Sequence, residues 1–169
     1  MLLVLQLLCI FFVALRSEAA RGGSQEKVRA LLDNGWKLVG PKHAYKLTLD
    51  EVNFSRGRQI CQSWGGDIAV EGIRTSPNIR RKVGRHLYRG PEWIGLWVGI
   101  TDTDVEGSFK WLDGKPALNS DLPWSPNEPS HSTGEDCIEI WGAERDFTLN
   151  DVSCNALRYG LCEKLVYDD

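Results

Sequence analysis

The sequence has no excess of basic residues: 20 Lys and Arg stand against 23 Asp and Glu, a formal net charge of −3. A mildly acidic chain has no electrostatic reason to bind DNA, RNA or anionic lipid. It has no CxxC pair, which argues against a zinc ribbon. None of its three histidines, His43, His86 and His131, adjoins a Ser or Cys nucleophile motif, and neither GxSxG nor HExxH occurs. The chain is therefore not expected to be an enzyme. It lacks collagen-like and internal repeats, and it lacks the run of about three or four heptads that a coiled coil needs. Beyond the N-terminus there is no second long apolar stretch, so no membrane insertion is expected.

What is there begins with an apolar run from Leu2 to Leu15, broken only by Gln6. It is shorter than the about 20 residues of a membrane span. Ser17 and Ala19 follow at the spacing of a signal-peptidase site. Residues 1–19 are read as a secretory signal, and the product is expected to be secreted and extracellular. Cys9 leaves with the signal. Cys61, Cys137, Cys154 and Cys162 remain, and an even count in a secreted chain argues for two disulfides. Four cysteines allow three pairings, and the spacing alone does not choose among them. About 150 residues are left, the size of one domain with a sizeable core.

Residues 20–35 are read as a short N-terminal helical segment, with Val28, Leu31 and Leu32 on one face and Asn34-Gly35 as the stop. A hairpin is expected over 36–47 around Gly40-Pro41. A helix is expected over 52–64, with Ile60 and Trp64 as an apolar pair and Gly65-Gly66 as its end. A second helix is expected to open with Ser76 as N-cap and Pro77 at its first position, burying Ile79, Val83 and Leu87. After Pro91 the chain becomes short apolar runs between Gly, Pro, Asn, Asp and Ser. Residues 97–100, 109–111, 137–141 and 159–162 read as strands. The stretch between Leu112 and Cys137 is polar and Pro-rich without a strand pattern. A loop of that length inside a compact domain points to function.

That loop and its surroundings are rich in oxygen donors: Asn127-Glu128-Pro129-Ser130, Gly134-Glu135-Asp136-Cys137 and Leu149-Asn150-Asp151. Calcium takes about 6–8 oxygen ligands, mostly carboxylates, amide carbonyls and water. Glu128, Ser130, Glu135, Asn150 and Asp151 supply such oxygens, three of them as carboxylates. A cis Glu128–Pro129 bond would turn the flanking side chains toward one centre. Glu128 and Glu135 could also be imagined as a glycosidase pair, but their neighbours suit a cation better than they raise a pKa.

With these residues in view, the stretch from Cys61 to Cys162 resembles the C-type lectin-like domain family. Trp97-Val98-Gly99-Ile100 is similar to the family's WIGL motif and is preferred to the literal copy at Trp93-Ile94-Gly95-Leu96 for its spacing from Glu106-Gly107. Glu128-Pro129-Ser130 stands where the family has EPN or QPD, and Leu149-Asn150-Asp151 where it has WND. The resemblance implies an α+β fold over residues 36–165, with two helices flanking antiparallel strands and a long calcium-binding loop. It implies the pairings Cys61–Cys162 and Cys137–Cys154, the first closing a loop of about 100 residues. It further implies a Ca²⁺ cofactor held by Glu128, Ser130, Glu135, Asn150 and Asp151, with sugar hydroxyls coordinated directly to the ion. An auxiliary calcium site would use Asp102, Glu106 and Asp136, though His131 replaces an expected acid there. The sequence departs from the family at Leu149 for Trp and at Ser130 for Asn.

The implied partner is carbohydrate, on cell-surface or microbial glycoconjugates. Glu128 resembles the mannose-type order, whereas Trp141 beside the ligands offers a face for galactose stacking, so the preferred reading is galactose-type with mannose or fucose as the alternative. A calcium-free, protein-binding member of the same fold is the rival of a different class. Trp36, Trp64, Trp93, Trp97 and Trp111 are assigned to the core, and Trp124 to propping the loop. Asn53-Phe54-Ser55 is the one N-glycosylation sequon. The N-terminal helix, or an exposed first strand, is a candidate homodimer surface.

Overall fold

The computed structural model describes residues 25–76, 78–87, 95–130, 132–142 and 146–166. The expected signal at residues 1–19, together with Pro77, Trp93 and His131, lies outside them. Four helices are described: α1 over residues 25–33, α2 Phe54–Ser63, α3 Glu71–Thr75 and α4 Ile79–Leu87. Eight strands among the described residues form one sheet: β1 Lys37–Leu38, β2 His43–Val52, β3 Asp67–Ile68, β4 Leu96–Thr101, β5 Lys110–Trp111, β6 Cys137–Ile140, β7 Leu149–Val152 and β8 Arg158–Leu165. The main path runs β1-β2-β8-β4-β6-β7, with β3 paired to β8 and β5 to β4. All pairings are antiparallel except β4 with β8, which is parallel. The fold is thus α+β as expected, with a mixed sheet and more helical pieces than two.

Strand alternation divides the core. In β4, Leu96, Val98 and Ile100 face one apolar cluster and Trp97 the other, the period-two pattern of a strand covered on both faces. The first cluster takes the stripe Ile79, Val83 and Leu87 of α4, as the sequence spacing predicts. The second gathers Trp36, Phe54, Ile68, Trp97 and the cysteines, with Val28 and Leu31 of α1 packed on it. Leu32 is turned to solvent instead of sharing their face. Phe54 meets Trp97 edge to face at 5.6 Å, and the Trp97 Nε1–H donates to the Val52 carbonyl at 2.8 Å.

Two helix expectations change. The strand β2 runs through Val52, so α2 starts two residues later, with Asn53 Oδ1 accepting from the Arg56 N–H at 2.9 Å as N-cap. Its buried stripe is Phe54, Gly57 and Cys61, while Ile60 and Trp64 are half-buried. Gly and Cys carry little weight in an apolar pattern, which is why spacing favoured the wrong pair. Gly65 then adopts φ +74° and ends the helix. Ser76 does not open α4 but closes the five-residue α3, which the sequence did not reveal; α4 begins at Ile79. So short a helix has no propensity to form alone. It is held by Glu163 of β8, whose carboxylate accepts from the Glu71 and Gly72 N–H groups at 2.8 and 2.9 Å.

The disulfides are Cys61–Cys162 and Cys137–Cys154, the pairing that the resemblance implies. The first ties α2 to β8 and the second ties β6 to the turn after β7. They span 101 and 17 residues. In the chain-entropy model such loops are worth about 4.7 and 3 kcal/mol. Replacing both cysteines of the first pair by alanine is expected to lower unfolding free energy in urea by more than replacing the second pair. Equal losses would show that the longer loop adds no extra restraint on the unfolded chain.

Candidate functional site

The long loop is irregular apart from one turn of 3₁₀-helix at Asn119–Asp121. It is pinned by backbone contacts to β7: the Leu149 N–H donates to Pro123 O at 2.9 Å and the Ser125 N–H to Leu149 O at 2.8 Å. Trp124 packs on Phe109 with ring centroids 5.2 Å apart, so it props the loop as expected. Asn127 follows with φ 72°, and the Glu128–Pro129 bond is cis.

From there the loop brings its oxygens to β7 and to the approach to β6. The Ser130 N–H donates to Asp151 Oδ1 at 2.9 Å, and the Ser130 hydroxyl donates to Glu135 Oε2 at 2.5 Å. The Ser132 hydroxyl lies 2.8 Å from that of Ser130. Glu128 has one carboxylate oxygen, Oε2, that is buried without a hydrogen-bond partner. Burial, then a proton shared with Asp151, then the charges of Asp151 and Glu135 push the Glu128 carboxyl up to about 7. Four of the five expected ligand residues, Glu128, Ser130, Glu135 and Asp151, thus form one acidic group around Ser130.

Asn150 is engaged differently. In the β6–β7 ladder Glu139 stands opposite Asn150 and Ile138 opposite Asp151. Neighbouring strand residues face opposite sides, and the Asn150 amide N–H donates to Glu139 Oε1 at 2.9 Å. Glu139 is 2% exposed and is also bound by the Arg158 guanidinium, Nε donating to Oε2 at 2.5 Å. A buried carboxylate needs such pairing. Glu139 was missed in the sequence, although a lone charge inside the apolar run 137–141 is a signal that could have found it. Because a carboxylate only accepts, its contact leaves the Asn150 carbonyl oxygen as the unengaged end of that amide's pairing with Glu139.

Among the described residues no three His, Cys, Asp or Glu side chains converge as a ready-made metal cage. The test of fit is the donor chemistry: hard oxygens, an excess of carboxylates and the orphaned Glu128 Oε2. These suit a hard cation such as Ca²⁺, whose sphere mixes carboxylate, amide and water oxygens.

Of the auxiliary residues, Asp102 is 2% exposed; its Oδ2 accepts from the Gly107 N–H at 2.7 Å, and its Oδ1 is buried without a partner. Burial raises its pKa against the Gly107 hydrogen bond, with the Asp136 charge adding to the rise. Asp136 is half-buried and Glu106 exposed. Trp141 continues the ladder, its N–H donating to Thr148 O at 2.7 Å. It is half-buried and belongs to neither apolar cluster, whereas Trp36, Trp97 and Trp111 are buried and Trp64 is half-buried under Lys46.

Comparison with known proteins bears on the family and the fold. The Lectin C-type domain model matches residues 50–164. C-type lectin domain family 4 member M of Nomascus concolor is 38% identical over 123 residues, which is 72% of this chain and 29% of that protein. The chain spans less than a third of the length of the curated relatives it matches. Among solved structures, the mouse scavenger receptor C-type lectin carbohydrate-recognition domain superposes with TM-score 0.63 at 24% identity, covering 77% of this chain and 95% of that one. A calcium-independent type II antifreeze protein superposes with TM-score 0.64 at 21% identity, covering 78% and 92%. By its domain match, its fold and its two disulfides, the chain belongs to the C-type lectin domain family.

Proposed function

We propose that the chain is a secreted, calcium-dependent carbohydrate-binding lectin that prefers galactose-type sugars. The observation that carries this reading is the meeting of Glu128, Glu135 and Asp151 around Ser130, with one Glu128 oxygen buried and unpaired. The charges of Asp151 and Glu135 act unfavourably on the Glu128 carboxylate, and a divalent cation drawing the three closer would remove that repulsion. Glu128, Ser130, Glu135, Asn150 and Asp151 would hold it. When bound, calcium supplies open coordination positions for two vicinal sugar hydroxyls. The chain's own residues then accept from or donate to those hydroxyls. Ser130 offers one oxygen that can do both, on a shorter side chain than the Asn of the EPN motif that it resembles.

Trp141 supports the galactose preference. It stands two residues beyond Glu139, lies outside both cores and keeps part of its surface exposed. An indole face stacks on the C–H face of a pyranose much as aromatic rings stack on one another. The rival reading is a calcium-independent protein-binding module. It draws on the contact between Asn150 and Glu139 and on the likeness to a calcium-independent antifreeze protein. Asp102 and Asp136 are proposed as an auxiliary calcium site with Glu106.

A glycan array run with calcium and with excess chelator separates the readings. Terminal galactose is expected to bind only with calcium. Glu128→Gln should weaken calcium and sugar together by about tenfold or more, because it removes a charged ligand. Trp141→Ala should lose sugar and keep calcium. Binding that survives chelation would refute the mechanism, and an unaltered galactose signal in Trp141→Ala would refute the specificity argument.

The raised Glu128 pKa makes a second prediction. Without calcium the folded chain holds this proton up to about pH 7, whereas an unfolded Glu loses it near pH 4.3. The native state therefore binds the extra proton between those values, and metal-free stability should fall as pH rises through that window. With calcium present the fall should vanish, since metal binding displaces the proton. Thermal melts from pH 4.5 to 8 with calcium or chelator check this; parallel profiles would show that calcium does not meet Glu128.

A further inference from the structure

Between α4, α3, β5 and the start of the long loop lies a cavity of about 370 Å³, in the size range of small-molecule sites. Its wall is mixed: the apolar Ile73, Trp111 and Leu149 line it beside the charged Arg74, Arg80, Arg81 and Asp121. Of these four charges only that of Arg80 is buried. Arg80 is 7% exposed, and its Nε donates to the Phe147 carbonyl. Among the described residues no carboxylate forms an ion pair with it, although its neighbours Arg74 and Arg81 are paired with Asp113 and Asp146. Burial lowers its pKa, the Arg81 charge adds to that, and Asp146 only partly opposes them. A buried cation without a counter-charge is costly. Holding Phe147 O uses one of five guanidinium N–H donors and accounts for neither the charge nor the open space beside it.

We propose that this cavity binds a small amphipathic carboxylate, the carboxylate on the Arg80 guanidinium and the hydrocarbon body along Ile73, Trp111 and Leu149. A guanidinium matches a carboxylate with two parallel hydrogen bonds, and the apolar side chains of the wall gain by covering hydrocarbon. The site involves none of the calcium-site residues and operates without the metal. It does share Leu149 with the strand that carries Asn150 and Asp151.

The test is calorimetric titration of the full chain in excess chelator, so that its result is independent of the lectin reading. The probes are octanoate, octanol and acetate. Octanoate is expected to bind one-to-one with a Kd below about 1 mM, and about tenfold or more tighter than octanol or acetate, as a charge-assisted hydrogen bond requires. Arg80→Gln should reduce octanoate affinity to that of octanol. Because Arg80 also holds Phe147, a second variant is needed that does not disturb the interior. Leu118 lies at the rim and is 59% exposed, so Leu118→Asp should stay folded and weaken octanoate about fivefold or more by repulsion at the mouth. Octanol binding as tightly as octanoate, no heat with octanoate, or an unchanged affinity in Leu118→Asp would each overturn the proposal.

Discussion

The register of β6 against β7 decides which polar side chain meets which partner. With Cys137 opposite Val152, Glu139 falls opposite Asn150 and Ile138 opposite Asp151. The Cys137–Cys154 bridge closes the end of this pair. Moving one strand by a single residue would turn each of its side chains to the other face. Asp151 would leave Ser130, Asn150 would leave Glu139, and the loop would lose its anchor on Leu149. The acidic group is thus a consequence of strand pairing: the β6–β7 register fixes Asp151, and the loop brings Ser130 and Glu128 to it.

Burial of charge recurs through the molecule, and each case is resolved differently. Glu139 is neutralised by Arg158 and hydrogen-bonded by Asn150. Glu163 is satisfied by the first N–H groups of α3, where the helix dipole also favours a negative charge. Glu128 and Asp102 each keep an oxygen without a hydrogen-bond partner, and among the described residues no carboxylate forms an ion pair with Arg80, which feels Asp146 only as a nearby charge. Glu128 belongs to the long loop and Arg80 lines the cavity, the two places proposed above to take a ligand.

Glycine sets how closely the layers approach. A Cβ on Gly84 would lie 2.3 Å from the Phe147 ring, and one on Gly95 would lie 1.6 Å from Glu139 Oε2. Contacts that short do not occur in proteins, so α4 and the start of β4 sit where only a hydrogen fits. Through Phe147 and Glu139 these two positions connect the helical layer to the strands that bear the site.

The family, the four-cysteine framework and the positions of β4, β5, β6 and β8 were legible in the sequence, whereas β7 was read only as an oxygen-donor motif. Each is written in local pattern: Pro and Gly punctuation, strand-length apolar runs and short motifs. The stripe Ile79, Val83, Leu87 was legible for the same reason, because a helical period repeats within a few residues. The start of α2, its buried Gly57–Cys61 face and the existence of α3 were not. They depend on Val52 pairing with Arg158, on Gly160 beside Gly57 and on Glu163 reaching back 92 residues to Glu71. The partner that Asn150 takes, the orphaned oxygen of Glu128 and the buried charge of Arg80 were decided only by tertiary structure. Residue type states what a side chain can bond, but desolvation and the distance to a partner are set by chain segments far apart in sequence.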